Sequence, residues 1–322
     1  MALPTVSVVL PTFNRLKYLR PAIDSVFAQT FEAWELIVAD DGSDDETLAY
    51  LSAIAQRPRV TLLQLPHTGN PGAVRNIAMR VARGEYIALL DSDDVWMPEK
   101  LALQVASLES HPERGWSHTA FAVIDDSGNL LTGERARWWP ATEGWILEPL
   151  IKMEAVIAIA SVIVRRQLLE ELGGFDLEQR VCEDYDLWLR LARLSEIDGV
   201  RETLLHKRGH QVPYFYDNTM VFEYLGRALA KLLAADTDRS LHSIVRRERA
   251  KAAACLARSQ AVDGGRWAAL RTLVRSSPYS WGYPQWWMGG VHTAARAMAP
   301  EGILRLARSV VRRRRGATYL QE

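Results

Sequence analysis

"YIALLDSDDVWMP", residues 86–98, decides the fold. An apolar and aromatic run climbs to Leu90, and then Asp91, Asp93 and Asp94 arrive within four positions. Like charges this close raise one another's pKa unless something pairs with them. The strand therefore ends either in a solvated turn, with Asp94 capping the next helix, or where positive charge comes to sit. An isolated acidic triplet is commonest in a loop. A triplet straight after a buried strand is a different matter, because strand ends are where open α/β sheets bind ligands.

The same arrangement recurs upstream. "VSVVL" (6–10), "WELIVA" (34–39) and "VTLLQL" (60–65) are short apolar runs. Between them lie segments with helical spacing, such as Leu19, Ile23, Val26 and Phe27 in "KYLRPAIDSVFAQT". "DDETLAYLSAIA" opens with acids suited to a helix N-terminus. "GAVRNIAMRVARG" is expected to run as a helix to Gly84, a C′ residue. "MPEKLALQVASLESHP" is expected to place Pro98 in its first turn. Strand–helix alternation at this spacing predicts parallel βαβ units and a Rossmann-like, mostly parallel sheet covered by helices. "WSHTAFAVIDDSGNLL" then alternates and turns at 126–129, predicting an antiparallel hairpin. From about 217 the chain reads as helices rich in Ala, Leu and Arg, broken near 263–265 and 276–284. The expected division is 1–212 and a basic helical region, 213–322.

The chain of 322 residues is 48% hydrophobic and 24% charged, ordinary for a globular protein. Cys182 and Cys255 have no zinc or disulfide spacing and read as reduced thiols of a cytoplasmic protein. No basic segment precedes the first apolar run, so no signal peptide is expected. "AVIAIASVIV" (155–164) is half the length of a membrane span. Net charge is zero, yet residues 241–322 hold 15 Lys/Arg against 4 Asp/Glu. "PQWWMGGVHTAARAMAPEGILRLARSVVRRRRG" (284–316) pairs aromatic residues with Arg312–Arg315. That combination predicts peripheral contact with an anionic membrane face. Charge at one end without a recognition motif argues against nucleic acid.

The segments at the strand ends test the site. They are "PTFNR" (11–15), "DDGSDD" (40–45), "PHTGNPGAVRN" (66–76) and "DSDD" (91–94). They bring together an aromatic ring, carboxylates, flexible backbone and Arg75. A hard dication, Mg²⁺ or Mn²⁺, bound by Asp91 and Asp93 resolves the repulsion and neutralises substrate phosphate. On an extended chain the two side chains point the same way. There is no GxGxxG after a strand and no GxxxxGK[ST], so no glycine cradle holds the phosphates.

Three segments, "VSVVLPTFNRLKYLRPAIDSVFAQTFEAWELIVADDGSDDET", "GNPGAVRNIAMRVARGEYIALLDSDDVWMPEKL" and "LGGFDLEQRVCEDYDLWLRL", resemble glycosyltransferase family 2 of the GT-A fold, over about residues 5–210. The resemblance implies a metal-dependent, inverting transfer from a nucleotide-diphosphate sugar, leaning to UDP, onto a sugar or lipid-linked hydroxyl acceptor in surface-glycan synthesis. Pro11 and Phe13 would line the base site. Asp41 would hydrogen-bond the base, and Asp40 would support the turn. Arg75 would reach the base or phosphates, and Asp91, Ser92 and Asp93 would form the metal motif, Asp93 the firmer ligand. Asp184 would be the general base beside Glu183. Phe175, Asp176 and Trp188 would lie toward the acceptor. In "KRGHQ" (207–211), Arg208 would approach the diphosphate and His210 the metal. The Q-x-x-R-W of processive members is absent, so one sugar per encounter is expected. The alternatives are a nucleotidyltransferase, which would want a glycine-rich loop after the first strand, and a non-catalytic nucleotide-sugar binder.

Overall fold

The computed structural model describes residues 3–133, 136–209, 218–235, 240–263, 265–284, 286–290 and 293. The chain divides into two compact units, Met1–Phe215 and Tyr216–Glu322. In the first unit the expected alternation is present: β1 (Val6–Thr12), α1 (Leu16–Phe27), β2 (Trp34–Asp40), α2 (Thr47–Ile54), β3 (Val60–Gln64), α3 (Pro71–Arg80) and β4 (Tyr86–Leu89). Then come β5 (Val95–Trp96), α4 (Lys100–Ser110), β6 (Trp116–Ile124), β7 (Trp138–Trp139), α5 (Leu147–Ile151), β8 (Ile163–Arg165), α6 (Arg166–Leu172), α7 (Glu183–Leu194) and β9 (Ile197–Arg208).

These strands form one sheet in the order β3-β2-β1-β4-β8-β6-β9-β5, with β7 on β6. β1 runs parallel to β2 and β4, and β2 runs parallel to β3. β6 and β9 are also parallel, whereas β5, β7 and β8 pair antiparallel. Every residue of β2 and β4 is buried, as a sheet covered on both faces requires. Each aliphatic buried this way contributes on the order of 1.5–3 kcal/mol. The register sets Thr12 opposite Asp40 and Asp40 opposite Gln64, so the strand ends share one edge.

Several boundaries differ from the sequence expectation. α3 ends at Arg80, four residues before Gly84. Gly84 instead allows a close approach, since a Cβ there would meet the Ser7 nitrogen at 2.6 Å. Glu35, buried in β2, ties this corner by accepting from Ser7 Oγ (2.7 Å) and Arg83 Nη2 (2.6 Å). α4 starts at Lys100, because Val95–Trp96 pairs with β9 first. The hairpin shrinks to a tight turn that Asp125 closes on Asn129, with a single bridge from Ile124 to Leu130, and Trp138–Trp139 supplies the strand partner.

His118, fully buried on β6, carries a pH dependence. Burial pushes its pKa down to about 4, although Thr142 hydrogen-bonds the ring. Nδ1 has no partner to receive a second proton's bond. The unfolded chain protonates near 6.5, so below that pH protonation favours unfolding, down to about pH 4. Between pH 7 and pH 5 this residue is expected to cost about 2 kcal/mol. Urea midpoints of wild type and His118→Gln at both pH values isolate it. An equal loss in the variant would remove His118 as the cause.

The second unit holds α8 (Asn218–Ala235), α9 (His242–Val262) and α10 (Arg266–Ser280). α9 buries Ala250, Ala253, Ala254, Ala257 and Ala261, small residues that let its neighbours approach. Trp286 is buried against Ala250 and Ala254, and its Nε1 donates to Ser276 Oγ at 2.8 Å. The break expected within 276–284 falls at 281–283, after α10 has continued through Pro278. The proline leaves the Val274 carbonyl without an N–H partner. Ser277 Oγ donates to that carbonyl at 2.8 Å and repairs the loss. Among the described residues no helix is long and apolar enough to cross a membrane.

Candidate functional site

The strand-end edge collects most of the expected residues. The chain from Asp91 to Asp94 is a turn, closed by Asp94 N–H donating to Asp91 O at 3.2 Å, and not the extended segment expected. Even so, Asp91, Asp93 and Asp94 each offer a carboxylate oxygen, all within 4.8 Å of one another. The third acid replaces the alternation argument: the turn converges three side chains where an extended strand would converge two. Ser92 is buried in the same turn.

The positive charge at this cluster is, first, the chain's own. Arg15 Nη1 meets Asp93 Oδ2 at 2.7 Å. Arg75, itself buried, meets Asp91 Oδ1 at 2.7 Å and Glu183 Oε1 at 3.0 Å. Burial works against the Arg75 charge, but Asp91 and Glu183 outweigh it and hold the guanidinium more basic than usual. Lys207 Nζ lies 3.6 Å from Asp94 Oδ2. Asp94, followed by Asp91, Asp93 and Asp184, raises the Lys207 pKa against burial. Burial in turn pushes the Asp94 carboxyl above the usual carboxylate range.

Arg75 is the bridge to the second segment. It ties the acidic turn to Glu183, at the first position of α7, so Asp184 stands beside the cluster. Burial raises Asp184, with Tyr185 N–H and Arg75 opposing and Asp91 adding to the rise. Asp184 Oδ1 accepts from Tyr185 N–H at 2.8 Å. Cys182, just before, adopts the left-handed region at φ 56°, which turns the chain sharply into the helix. Its thiol is pushed up to about 12 by burial and the neighbouring acids, and so stays protonated.

Among the residues expected to line the base, Pro11 lies in β1 beside Ala39 of β2. Phe13 is partly exposed and stacks on His67, with centroids 4.1 Å apart. Asp40 is buried and accepts from Ser43 N–H and Oγ within the turn. Asp41 differs from expectation: its carboxylate is occupied by the next loop. Oδ1 accepts from Thr68 N–H and Oγ1, both at 2.8 Å, and Oδ2 accepts from Gly69 N–H at 2.9 Å. Gly42 sits at φ 82°, with a hypothetical Cβ 2.9 Å from the His67 nitrogen, so this crossing needs glycine.

Three more expectations need correction. Trp188 is 2% exposed and its ring stacks on Trp116 at 5.5 Å, so it is core and cannot meet an acceptor. Phe175 is likewise buried. Asn76 clamps its backbone on both sides, and its ring lies 5.4 Å from the Arg75 guanidinium, which it backs. Arg208 is turned inward: Nε donates to Asp93 O at 3.0 Å and Nη1 to Asp125 O at 2.6 Å, while its own N–H donates to Asp94 Oδ1 at 2.8 Å. It holds the acidic turn rather than facing a diphosphate. Asp176 Oδ1 accepts from Glu178 N–H in the loop after Gly173 and Gly174. His210 lies outside the described residues.

The residues present fit a hard dication. The donors are carboxylate oxygens, and buried Asp94 Oδ2 has no hydrogen-bond partner. Arg15, Lys207 and Asn76 were not singled out in the sequence. Lys207 had a signal, since it lies inside "KRGHQ".

The family described as Glycosyl transferase family 2 matches residues 7–173. Among curated relatives, the Escherichia coli UDP-Glc:alpha-D-GlcNAc-diphosphoundecaprenol beta-1,3-glucosyltransferase WfgD is 29% identical over 195 residues, 61% of this chain and 72% of that protein. The chain spans 64% or less of the uncharacterised Rickettsia glycosyltransferases it matches. S. aureus TarS 1-349 in complex with UDP-GlcNAc shares the fold, with a TM-score of 0.64 and 18% identity over 86% of this chain and 81% of that one. The mannosyltransferase PcManGT of Pyrobaculum calidifontis, in complex with GDP-Man and Mn²⁺, has a TM-score of 0.56 and 18% identity over 92% and 85%. The GT-A expectation therefore holds.

Proposed function

Because the chain belongs to glycosyl transferase family 2, we propose that it moves one sugar from a nucleotide-diphosphate sugar, a UDP-sugar, to a hydroxyl acceptor with inversion. The observation that carries this is Arg75, which joins the acidic turn to the Glu183–Asp184 pair. That link supports a diphosphate bound at the acidic turn beside a carboxylate on a separate segment, as in-line displacement needs.

Phe13 and His67 offer a ring surface to the base, and Pro11 lies two residues before Phe13 at the end of β1. Asp40 and Asp41 hold the loops that shape that wall. Asp91, Asp93 and Asp94 would hold Mn²⁺ or Mg²⁺, which supplies neutralisation of charge on the departing diphosphate. Asp184 accepts the proton of the acceptor hydroxyl. The freed oxygen bonds to the anomeric carbon as the bond from that carbon to the diphosphate oxygen breaks, and the electron pair leaves with UDP. Glu183 acts through Arg75 and is a positioning residue. Lys207 adds fixed positive charge on the diphosphate side. Nucleotide-sugar complexes of the two fold neighbours support the donor class. The lipid-diphosphate acceptor named for WfgD supports an acceptor of that kind, reached from the cytoplasmic face by peripheral contact through 284–316. Arg312–Arg315 of that segment lie outside the described residues.

The test is product analysis with Mn²⁺ and a set of UDP-sugars. UDP release that Asp93→Ala reduces to background is the expected result. Pyrophosphate release would mean nucleotidyl transfer, and tight donor binding without turnover would mean a binding protein.

A further inference from the structure

α10 carries large apolar residues on its outer side as well as on its packed side. The packed side buries Ala269, Ser276 and Ser280 and sets Leu273 against Ala250, Ala254 and Trp286. The outer side is large: Trp267 is 81% exposed, Val274 71% and Trp281 65%. At 3.6 residues per turn, Trp267, Val274, Pro278 and Trp281 fall within about 60° of the circumference, along roughly 21 Å of helix. The stripe continues onto Trp287 and Met288, both exposed, with Trp287 edge-on to Trp281 at 4.6 Å. Trp287 Nε1 donates to Trp281 O at 2.7 Å, which fixes the pair. An exposed apolar surface of this extent marks an interaction site.

Charge narrows the partner. Residues 265–290 contain Arg266, Arg271 and Arg275 and no acid. Arg271 and Arg275 are exposed along one flank of the stripe. The partner must therefore be apolar and anionic at once. A second copy would bring the same positive flank against this one. A bilayer interface meets both conditions: indoles settle at headgroup level, guanidinium groups meet anionic headgroups, and a helix lies in the plane.

We infer that the outer face of α10, from Trp267 to Trp281 with Trp287 and Met288, seats on an anionic lipid surface. This face shares Trp287 and Met288 with the 284–316 segment and extends the membrane contact proposed there to α10, and it does not depend on the donor chemistry. The experiment is co-sedimentation of the full chain with phosphatidylcholine vesicles, with and without phosphatidylglycerol. Binding to the phosphatidylglycerol vesicles with a blue shift of tryptophan emission is expected. Trp267→Ser with Val274→Ser should weaken it about tenfold. Arg271→Ala with Arg275→Ala should weaken it about thirtyfold. The altered side chains are exposed, and unchanged thermal melts establish that both variants fold. Equal sedimentation of the variants, no binding to either vesicle, or a dimer in sedimentation velocity that the first variant dissolves would each overturn the assignment.

Discussion

Asp184→Asn is expected to lower kcat by a factor of about 10²–10⁴, the range a positioned general base contributes. Donor KM should stay close to wild type, because Asp184 faces the acceptor side in the proposed reaction. Asparagine keeps the size of the side chain and an oxygen that can accept from Tyr185 N–H, as Asp184 does now. It cannot take a proton. UDP release in steady state with a working acceptor gives the answer, and a kcat within tenfold of wild type would exclude Asp184 as the base. Asp184→Ala should do no worse, since the lost step is proton transfer and not packing.

Arg75→Met should cost about 3–5 kcal/mol, the usual consequence of removing one member of a buried ionic group. Asp91 and Glu183 would then face each other with no cation between them. Lysine should not rescue, because one ammonium cannot reproduce the two-armed contact of a guanidinium. The variant has a second signature. Mn²⁺ should raise its melting temperature more than it raises that of wild type, since the ion would supply charge that Arg75 supplies now. A small stability loss with an unchanged Mn²⁺ response would show that the bridge is incidental.

The parallel half of the fold was legible because each of its strands is an apolar run bounded by turn residues, and its helices keep a 3.6-residue period. β5 and β8 were not: a strand of two or three residues leaves no alternation to read. The parallel pairing of β6 with β9 joins segments about eighty residues apart, and nothing local signals it. The site divides in the same way. Asp91, Asp93 and Asp184 stand out by their positions beside apolar runs. The Arg15–Asp93 and Arg75–Glu183 pairs span 78 and 108 residues and carry no pattern. Trp188 misled because helical spacing serves an inward and an outward face equally well; only the stack on Trp116 decides between them.

The contact of Arg208 with Asp94 has a consequence for assembly during synthesis. The acidic turn is finished from the end of β9, 114 residues further along the chain, and β5 has no partner until β9 is in place. A nascent polypeptide that has emerged as far as β8 thus holds all its metal-ligand candidates except those beyond β9, yet lacks the strut that shapes them. The acidic turn thus reaches its observed shape only with the strand that closes the sheet.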